Sequence, residues 1–184
     1  MLPNVFRRQT PVHKPRFEDV VETELPVLYR TAKRLTMNDS EAEDLVGQTL
    51  YLAARAWPTF DGAYPRSWMI KILRNEHLGR RKKADNRPEV ALDDVAEPSH
   101  DGYWQAIDWG IVGQEVVRAL DFLPEDYRMA VALCDVEGLT RQEVADALGV
   151  PEGTVNSRLH RGRNLLRARL VALLGDAAPQ GAHP

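Results

Sequence analysis

The sequence is poor in the residues that build disulfides, metal sites and catalytic centres. Its single cysteine, Cys134, excludes an internal disulfide and lies in an apolar helical run, which predicts a buried thiol in a reducing compartment. The histidines, at 13, 77, 100, 160 and 183, stand at no metal-ligand spacing from other ligand residues. No phosphate-cradling glycine loop or nucleophile elbow occurs. We therefore expect no enzyme activity, no metal and no cofactor.

Long apolar runs are also missing. No stretch is long enough to cross a bilayer, and the basic N-terminus leads into no signal-peptide hydrophobic region. We therefore predict a cytoplasmic protein without membrane insertion. The net charge of −3 argues against a uniformly basic coat for nucleic acid, and 184 residues suit one ordinary domain or two small ones.

The charges are strongly segregated along the chain. Seven cations oppose one acid over residues 66–83, a sum of +6, whereas seven acids oppose one arginine over residues 84–110, a sum of −6. The acidic stretch has prolines and weak periodicity, which is typical of a linker between modules. The predicted organisation is a flexible basic arm (1–16), a helical domain (17–83), a flexible acidic linker (84–106), a second helical domain (107–175) and a disordered tail (176–184).

Apolar residues recur at helical spacing in both modules, which predicts an all-α fold of two small domains, a helical bundle and a helix-turn-helix domain. In the first module Pro26 predicts a kink or break, and Ser40 predicts a helix cap. A third helix is expected to start near Arg66 or Ser67. In the second module Pro124 is expected to open a helix.

Residues 138–170 predict the helix-turn-helix. Thr140 and Glu143 have the spacing of a capping box, Gly149 is expected to end the first helix, and Pro151 suits the first turn of the second. The predicted buried stripe of the second helix is Val155, Leu159, Gly162 and Leu166. Its opposite face carries Asn156, Ser157, Arg158, His160, Arg161 and Arg163, with Thr154 near its start. Such a face suits the major groove, although a merely solvated polar face is the alternative.

The loop TFDGAYP (59–65) places aromatic rings beside the basic third helix. Rings stack on unpaired bases, and cations follow the phosphates, so this segment could hold single-stranded nucleic acid. The alternative is structural, with Trp68 in the core and Phe60 and Tyr64 packing the loop down. For Trp68 alone the core is favoured, and for the loop the two interpretations are balanced.

Several motifs occur together in one order. They are Ala42-Glu43-Asp44-Leu45-Val46, the helix from Trp68 to Asn75, the acidic linker, and Gly153-Thr154-Val155-Asn156-Ser157-Arg158-Leu159. Over residues 20–172 this arrangement resembles a bacterial sigma factor of the short extracytoplasmic-function (ECF) group. The resemblance implies a first domain that binds the clamp helices of the RNA polymerase β′ subunit and melts the −10 promoter element. It implies a second domain that reads the −35 element and touches the β flap.

The resemblance also assigns residues. Polymerase binding would fall to Asp44, Leu45, Gln48 and Thr49. Binding and melting of the −10 element would fall to Phe60, Asp61, Tyr64, Trp68, Lys71, Arg74, Asn75, Arg80 and Arg81. Recognition of the −35 element would fall to Thr154, Asn156, Ser157, Arg158 and Arg161. The implied partners are core RNA polymerase, promoter DNA and, as a hypothesis, an anti-sigma factor. Gly79 stands where the family usually has Asp, which predicts an early end or bend in the basic helix.

Two other functions fit parts of this pattern. A stand-alone regulator would bind a palindromic duplex as a dimer through the same helix-turn-helix, but this leaves the first module unexplained. An all-helical interaction module would use its basic faces on an acidic protein. Transcription initiation is favoured because it employs both modules.

Overall fold

Hydrophobic residues at helical spacing run through both halves of the chain, and both halves fold into helices. The structure, a computed structural model, describes residues 14–85 and 113–176. Within those ranges no strand occurs, and the α-helices are α1 (Phe17–Thr36), α2 (Asp39–Ala56), α3 (Pro65–Asp85), α4 (Gly113–Asp121), α5 (Glu125–Val131), α6 (Arg141–Leu148) and α7 (Glu152–Asp176). The all-α prediction is confirmed. The predicted arm up to residue 13, most of the linker, the helical restart near Ile107 and the tail from residue 177 lie outside the described residues.

The first domain is a bundle of α1, α2 and α3, each of which packs on the other two. Its buried core includes Val20, Leu28, Ala32, Ala42, Leu45, Val46, Ala53, Met69, Ile70 and Leu73. None of the helices in the described ranges is long and apolar enough to cross a membrane.

The structure bears on three local predictions for this domain. Helix α1 continues through the exposed Pro26, so the predicted break does not occur there, since buried residues on either side hold the helix in the bundle. The cap of α2 is Asn38 rather than Ser40, and the Asn38 side chain accepts a hydrogen bond from the Glu41 backbone N–H at 3.1 Å. Helix α3 continues past Gly79 to Asp85. An ion pair between Glu76 and Arg80 spans Gly79 at 2.9 Å and supports the helix there.

The second domain packs α4, α5 and α6 against the long helix α7. The capping box of Thr140 and Glu143 is formed, and Gly149 ends α6 with a φ of 63°. The predicted stripe of α7 from Val155 to Leu166 is buried as expected. Helix α5 begins after Pro124 and runs into a π segment, Ala132–Val136. Cys134 lies in that segment half-buried, and burial raises the pKa of its thiol to about 11.

The two domains are docked through the carboxylate of Glu137. Its side chain is only 2% exposed and accepts hydrogen bonds from Arg30 at 2.6 and 3.0 Å and from Arg34 at 2.9 Å. Arg66 donates to the Glu137 backbone carbonyl at 3.1 Å and also pairs with Glu24 at 2.6 Å. Around this cluster α1 lies against α5, and α3 lies against α6. The composition of the linker permits both docked and separated domains, and the structure has them docked.

The charge on Glu137 is essential to this cluster. Burial by itself raises the pKa of the carboxyl, but the hydrogen bonds from Arg30 and Arg34 outweigh burial and hold the pKa below its usual value. A lowered pKa means that the carboxylate contributes to stability above the pKa of the unfolded chain. That contribution is lost as pH falls through the lower pKa of the folded protein. Docking is therefore expected to persist at neutral pH and to weaken in acid.

A first prediction concerns helix packing at Gly162. A Cβ there would lie 2.7 Å from Val131 Cγ2 and 3.2 Å from the Tyr127 carbonyl oxygen, so α5 and α7 would have to move apart. We expect Gly162→Ala to lower the free energy of unfolding by ~1–3 kcal/mol, as overpacking does. Gly79→Ala is the matched control, since its Cβ would meet nothing within 4 Å. Gly79→Ala should raise the free energy of unfolding by up to ~1 kcal/mol, because alanine favours the helix more than glycine does. Urea denaturation followed by circular dichroism measures both changes, and equal effects would contradict this packing.

A second prediction concerns docking. Glu137→Ala leaves Arg34, whose side chain is 7% exposed, buried without its carboxylate. Removing one partner of a buried ion pair destabilises the protein by ~3–5 kcal/mol, because the other charge stays buried without a partner. Separation of the domains would return Arg34 to water and so remove this penalty. The radius of gyration from small-angle X-ray scattering should therefore increase. Glu125→Ala is the control, because it removes only the half-exposed pair with Arg81 and should leave the radius unchanged. An unchanged radius in Glu137→Ala would refute the role of this cluster.

Candidate nucleic-acid interface

A stack of aromatic rings supports the loop between α2 and α3. Phe60 stacks on Trp68 with ring centroids 4.5 Å apart, and Trp57 lies 5.0 Å from Phe60 and 5.9 Å from Trp68. Phe60 is therefore only 8% exposed. Tyr64, in contrast, is 65% exposed. The structural interpretation thus holds for the Phe60 ring but not for Tyr64.

The loop bends sharply and is held by its own hydrogen bonds. Asp61 Oδ1 accepts from the Ala63 N–H at 2.9 Å, and Ser67 Oγ donates to the Tyr64 carbonyl at 3.1 Å. Gly62 and Tyr64 both have positive φ, 87° and 50°. The left-handed backbone at Tyr64 is strained for a residue with a side chain, and such strain is concentrated at functional sites.

Beside the loop is a cleft of about 360 Å³. It is lined by Thr59, Phe60, Asp61, Ala63, Tyr64, Ser67, Trp68, Lys71 and Asp146. Five residues predicted for the −10 element, namely Phe60, Asp61, Tyr64, Trp68 and Lys71, thus meet at one place. The cleft combines ring surface, polar groups and a cation, which together can hold an unstacked base and its phosphate. Asp146, which no sequence argument selected, comes from α6 of the other domain.

The remaining −10 candidates lie farther along α3. Asn75 is exposed and Arg74 is half-buried. Arg80 pairs with Glu76 and also donates to the Asp44 carbonyl at 3.4 Å, whereas Arg81 pairs with Glu125 of the second domain at 2.8 Å. The two arginines predicted to meet DNA are therefore engaged with protein groups in the docked arrangement.

The −35 candidates divide into two groups on α7. Ser157 is 6% exposed and donates to the Thr154 carbonyl at 3.0 Å, and Arg158 is largely buried beside Asp126 at 3.1 Å. Both were expected on the outer face of the helix, and that placement was wrong: Asp126 of α5 holds Arg158 inward, and the Ser157 hydroxyl is turned to the backbone of its own helix.

Arg163, assigned to the same face, is also turned inward and pairs with Asp135 at 2.8 Å. Thr154, Asn156 and Arg161 are partly exposed. His160 is partly exposed as well and follows Asn156 by one helical turn. Sequence analysis placed His160 on the polar face but did not select it as a site residue.

The polymerase-binding candidates on α2 are divided in the same way. Asp44 is exposed and Gln48 is half-buried, but Leu45 and Thr49 belong to the core, where Thr49 Oγ1 donates to the Leu45 carbonyl at 2.7 Å. Leu45 and Thr49 thus have no surface for a partner, contrary to expectation. The exposed stripe continues instead through Tyr51 and Arg55, which is a helical spacing that sequence analysis did not follow. The Arg55 guanidinium lies 5.7 Å from the Tyr51 ring centroid.

Comparison with protein families matches both domains. Residues 20–87 match the family Sigma-70 region 2, and residues 113–166 match Sigma-70, region 4. The first match covers α1 to α3, and the second covers α4 to α6 and most of α7.

Individual proteins agree with these matches. The ECF RNA polymerase sigma factor SigE of Mycolicibacterium smegmatis is 35% identical over 89% of this chain and 65% of its own length. SigM of Mycobacterium tuberculosis is 36% identical over 80% of this chain and 71% of its own. Among solved structures, RpoE of Bartonella quintana, in complex with the anti-sigma factor NepR, superposes with a TM-score of 0.63 at 28% identity. That match covers 84% of this chain and 96% of RpoE. The chain therefore belongs to the ECF group of RNA polymerase sigma factors, which direct promoter-specific initiation of transcription.

Proposed function

We propose that this sigma factor divides promoter recognition between the cleft and α7. In the proposal the cleft beside residues 59–64 takes an unstacked base of the −10 element, with Trp68 and Tyr64 as ring surfaces and Lys71 at the phosphate. The observation that carries the assignment is that an exposed ring, a second ring and a cation line one cleft. Stacking of this kind contributes ~1–3 kcal/mol per base.

In the second domain, Thr154, Asn156 and Arg161 would contact the −35 element, with His160 beside them. Their partial exposure in the first three turns of α7 supports this assignment. Ser157 and Arg158 would act indirectly, because Ser157 hydrogen-bonds within α7 and Arg158 pairs with Asp126 of α5. Arg158 in particular would hold α7 at the angle that the major groove requires.

Core RNA polymerase is the partner that makes both contacts productive. The exposed face of α2, with Asp44, Gln48, Tyr51 and Arg55, is the surface we assign to the β′ clamp, and the second domain would touch the β flap. The chain carries a net charge of −3, so either domain alone should bind duplex DNA weakly. Polymerase would bring both domains to the promoter at once, so that the complex binds DNA through two sites. A protein with these partners works in the cytoplasm and needs no catalytic chemistry of its own.

An anti-sigma factor completes the set of partners in this proposal. The solved relative RpoE was crystallised with the anti-sigma factor NepR, and CnrH with the cytosolic domain of CnrY. CnrH is 22% identical and supports the fold alone. We expect a protein of the same class to bind this chain. The stand-alone regulator is not favoured, since the matched families cover both domains.

A third prediction tests the cleft. Tyr64→Ala and Lys71→Ala each remove an exposed group at the cleft, so neither should unfold the domain. With core polymerase, each should reduce open complexes by about tenfold, as expected when a base loses one stacking or phosphate contact. Permanganate reactivity of −10 thymines measures the open complexes. Polymerase affinity should not change, and unaltered reactivity in both variants would exclude the cleft as the base site.

A fourth prediction tests α7. Arg161→Ala should reduce run-off transcription about tenfold from a promoter with both elements, since a lost base contact costs ~1–3 kcal/mol. On a promoter whose −35 element has been replaced, the variant should equal the wild type, because the contact no longer exists there. An equal loss on both promoters would assign Arg161 to folding or polymerase binding instead.

A further inference from the structure

The segment just before α1 lies against the loop that forms the cleft. Lys14 Nζ donates a hydrogen bond to the Trp57 carbonyl and lies 5.2 Å from the Trp57 ring centroid and 5.8 Å from that of Phe60. The Lys14 Cα, Cβ and Cγ atoms stand 3.6–3.7 Å from where a Gly62 Cβ would be. One side chain therefore contacts both ends of the bend, Trp57 and Gly62.

The ammonium group is well suited to this position. Helix α2 ends at Ala56, and the 3-10 turn Trp57–Thr59 follows it directly, so backbone carbonyls and the negative end of the helix dipole face Lys14. The Trp57 carbonyl also accepts from the Phe60 N–H at 3.1 Å. A cation within about 6 Å of two ring centroids adds attraction to both ring faces. Lys14 thus holds the backbone of the turn and the rings on it together.

Lys14 does not line the cleft, and neither does Phe17, the first residue of α1. Phe17 supports the same rings from behind, since its own ring meets that of Trp57 edge-on at 5.3 Å. The chain runs from Trp57 through Phe60 to Trp68, and the last two rings form a wall of the cleft. A change at Lys14 therefore reaches the cleft only through these rings and the loop.

We infer that Lys14 is a positioning residue for the −10 element. Its ammonium group fixes the loop and the Phe60 ring, so that Trp68, on which Phe60 stacks, presents a preformed ring surface to the unstacked base of the promoter strand. This inference rests on the proposed function of the cleft. It assigns a role to Lys14, which belongs to the predicted basic arm (1–16).

The test uses the full chain with core polymerase and variants that separate charge from packing. Lys14→Met keeps the methylenes against Gly62 and removes the ammonium group, whereas Lys14→Arg keeps a cation. Arg16→Ala is the neighbouring control, because the Arg16 side chain lies in an exposed pair with Glu18 at 3.6 Å. The measurements are permanganate reactivity of −10 thymines, affinity for single-stranded −10 oligonucleotide, and affinity for a duplex bearing only the −35 element.

We expect Lys14→Met to reduce both the permanganate reactivity of the −10 thymines and the affinity for the −10 oligonucleotide about fivefold to tenfold. Such a change corresponds to roughly 1–1.4 kcal/mol. Lys14→Arg should recover most of the loss, and Arg16→Ala should match the wild type. Affinity for the −35 duplex should be unchanged in all of them. Wild-type behaviour of Lys14→Met, or an equal loss on the −35 duplex, would overturn the inference.

Tyr64→Ala and Lys71→Ala, measured in parallel, separate this inference from the function of the cleft. If they lose −10 binding while Lys14→Met does not, the cleft is the base site and Lys14 has no part in it. If Tyr64→Ala and Lys71→Ala also bind the −10 element like the wild type, the cleft is not the base site, and the inference about Lys14 is refuted as well.

Discussion

The buried carboxylate of Glu137, between Arg30 and Arg34, determines how the two halves of this protein are arranged. A buried ion pair contributes little net stability, because removing the charges from water offsets most of their attraction. It does select one arrangement, since a small shift would leave a buried charge without its partner. Glu137 stands directly before Gly138, with a φ of 73°, and close to the capping box that starts α6. The group that docks the domains therefore lies immediately before the helix-turn-helix, whose first helix α6 starts at the capping box.

Docking has a direct consequence for DNA binding. In the docked arrangement α6 lies against α3, and Asp146 lines the cleft that we assign to the promoter strand. A carboxylate there repels a phosphate, and Arg81 is meanwhile occupied by Glu125. Under the proposed function the −10 and −35 elements are separate sites on one DNA molecule, and we expect the two domains to move apart when both sites are filled. Under the proposed function, polymerase supplies the binding energy for that separation, and weak DNA binding by the free chain follows from docking as well as from net charge.

The sequence predicted several features that are decided within a few residues. The capping box of Thr140 and Glu143 and the end of α6 at Gly149 depend on neighbouring backbone groups, so spacing was sufficient. Spacing was not sufficient at α2, where two neighbouring residues can both cap a helix and Asn38 does so instead of Ser40. Other predictions failed where a distant element decides which way a side chain faces. Arg158 turns inward because α5 brings Asp126 to it, and Phe60 is covered because Trp57 and Trp68 converge on it. Docking of the two domains could not be predicted from the sequence, because Arg34 and Glu137 are 103 positions apart and the predicted linker lies between them.

The aromatic cluster shows why the two interpretations of the loop were balanced. A ring has two faces and an edge, and only part of that surface is needed to bury it. Phe60 stacks on Trp68 and is packed by Trp57, yet both Phe60 and Trp68 still line the cleft. Packing against the domain fixes the angle at which the remaining surface is offered, and a fixed ring loses less entropy when a base stacks on it. In this loop the structural role of the rings is therefore the physical basis of the proposed binding role, and the two are not alternatives.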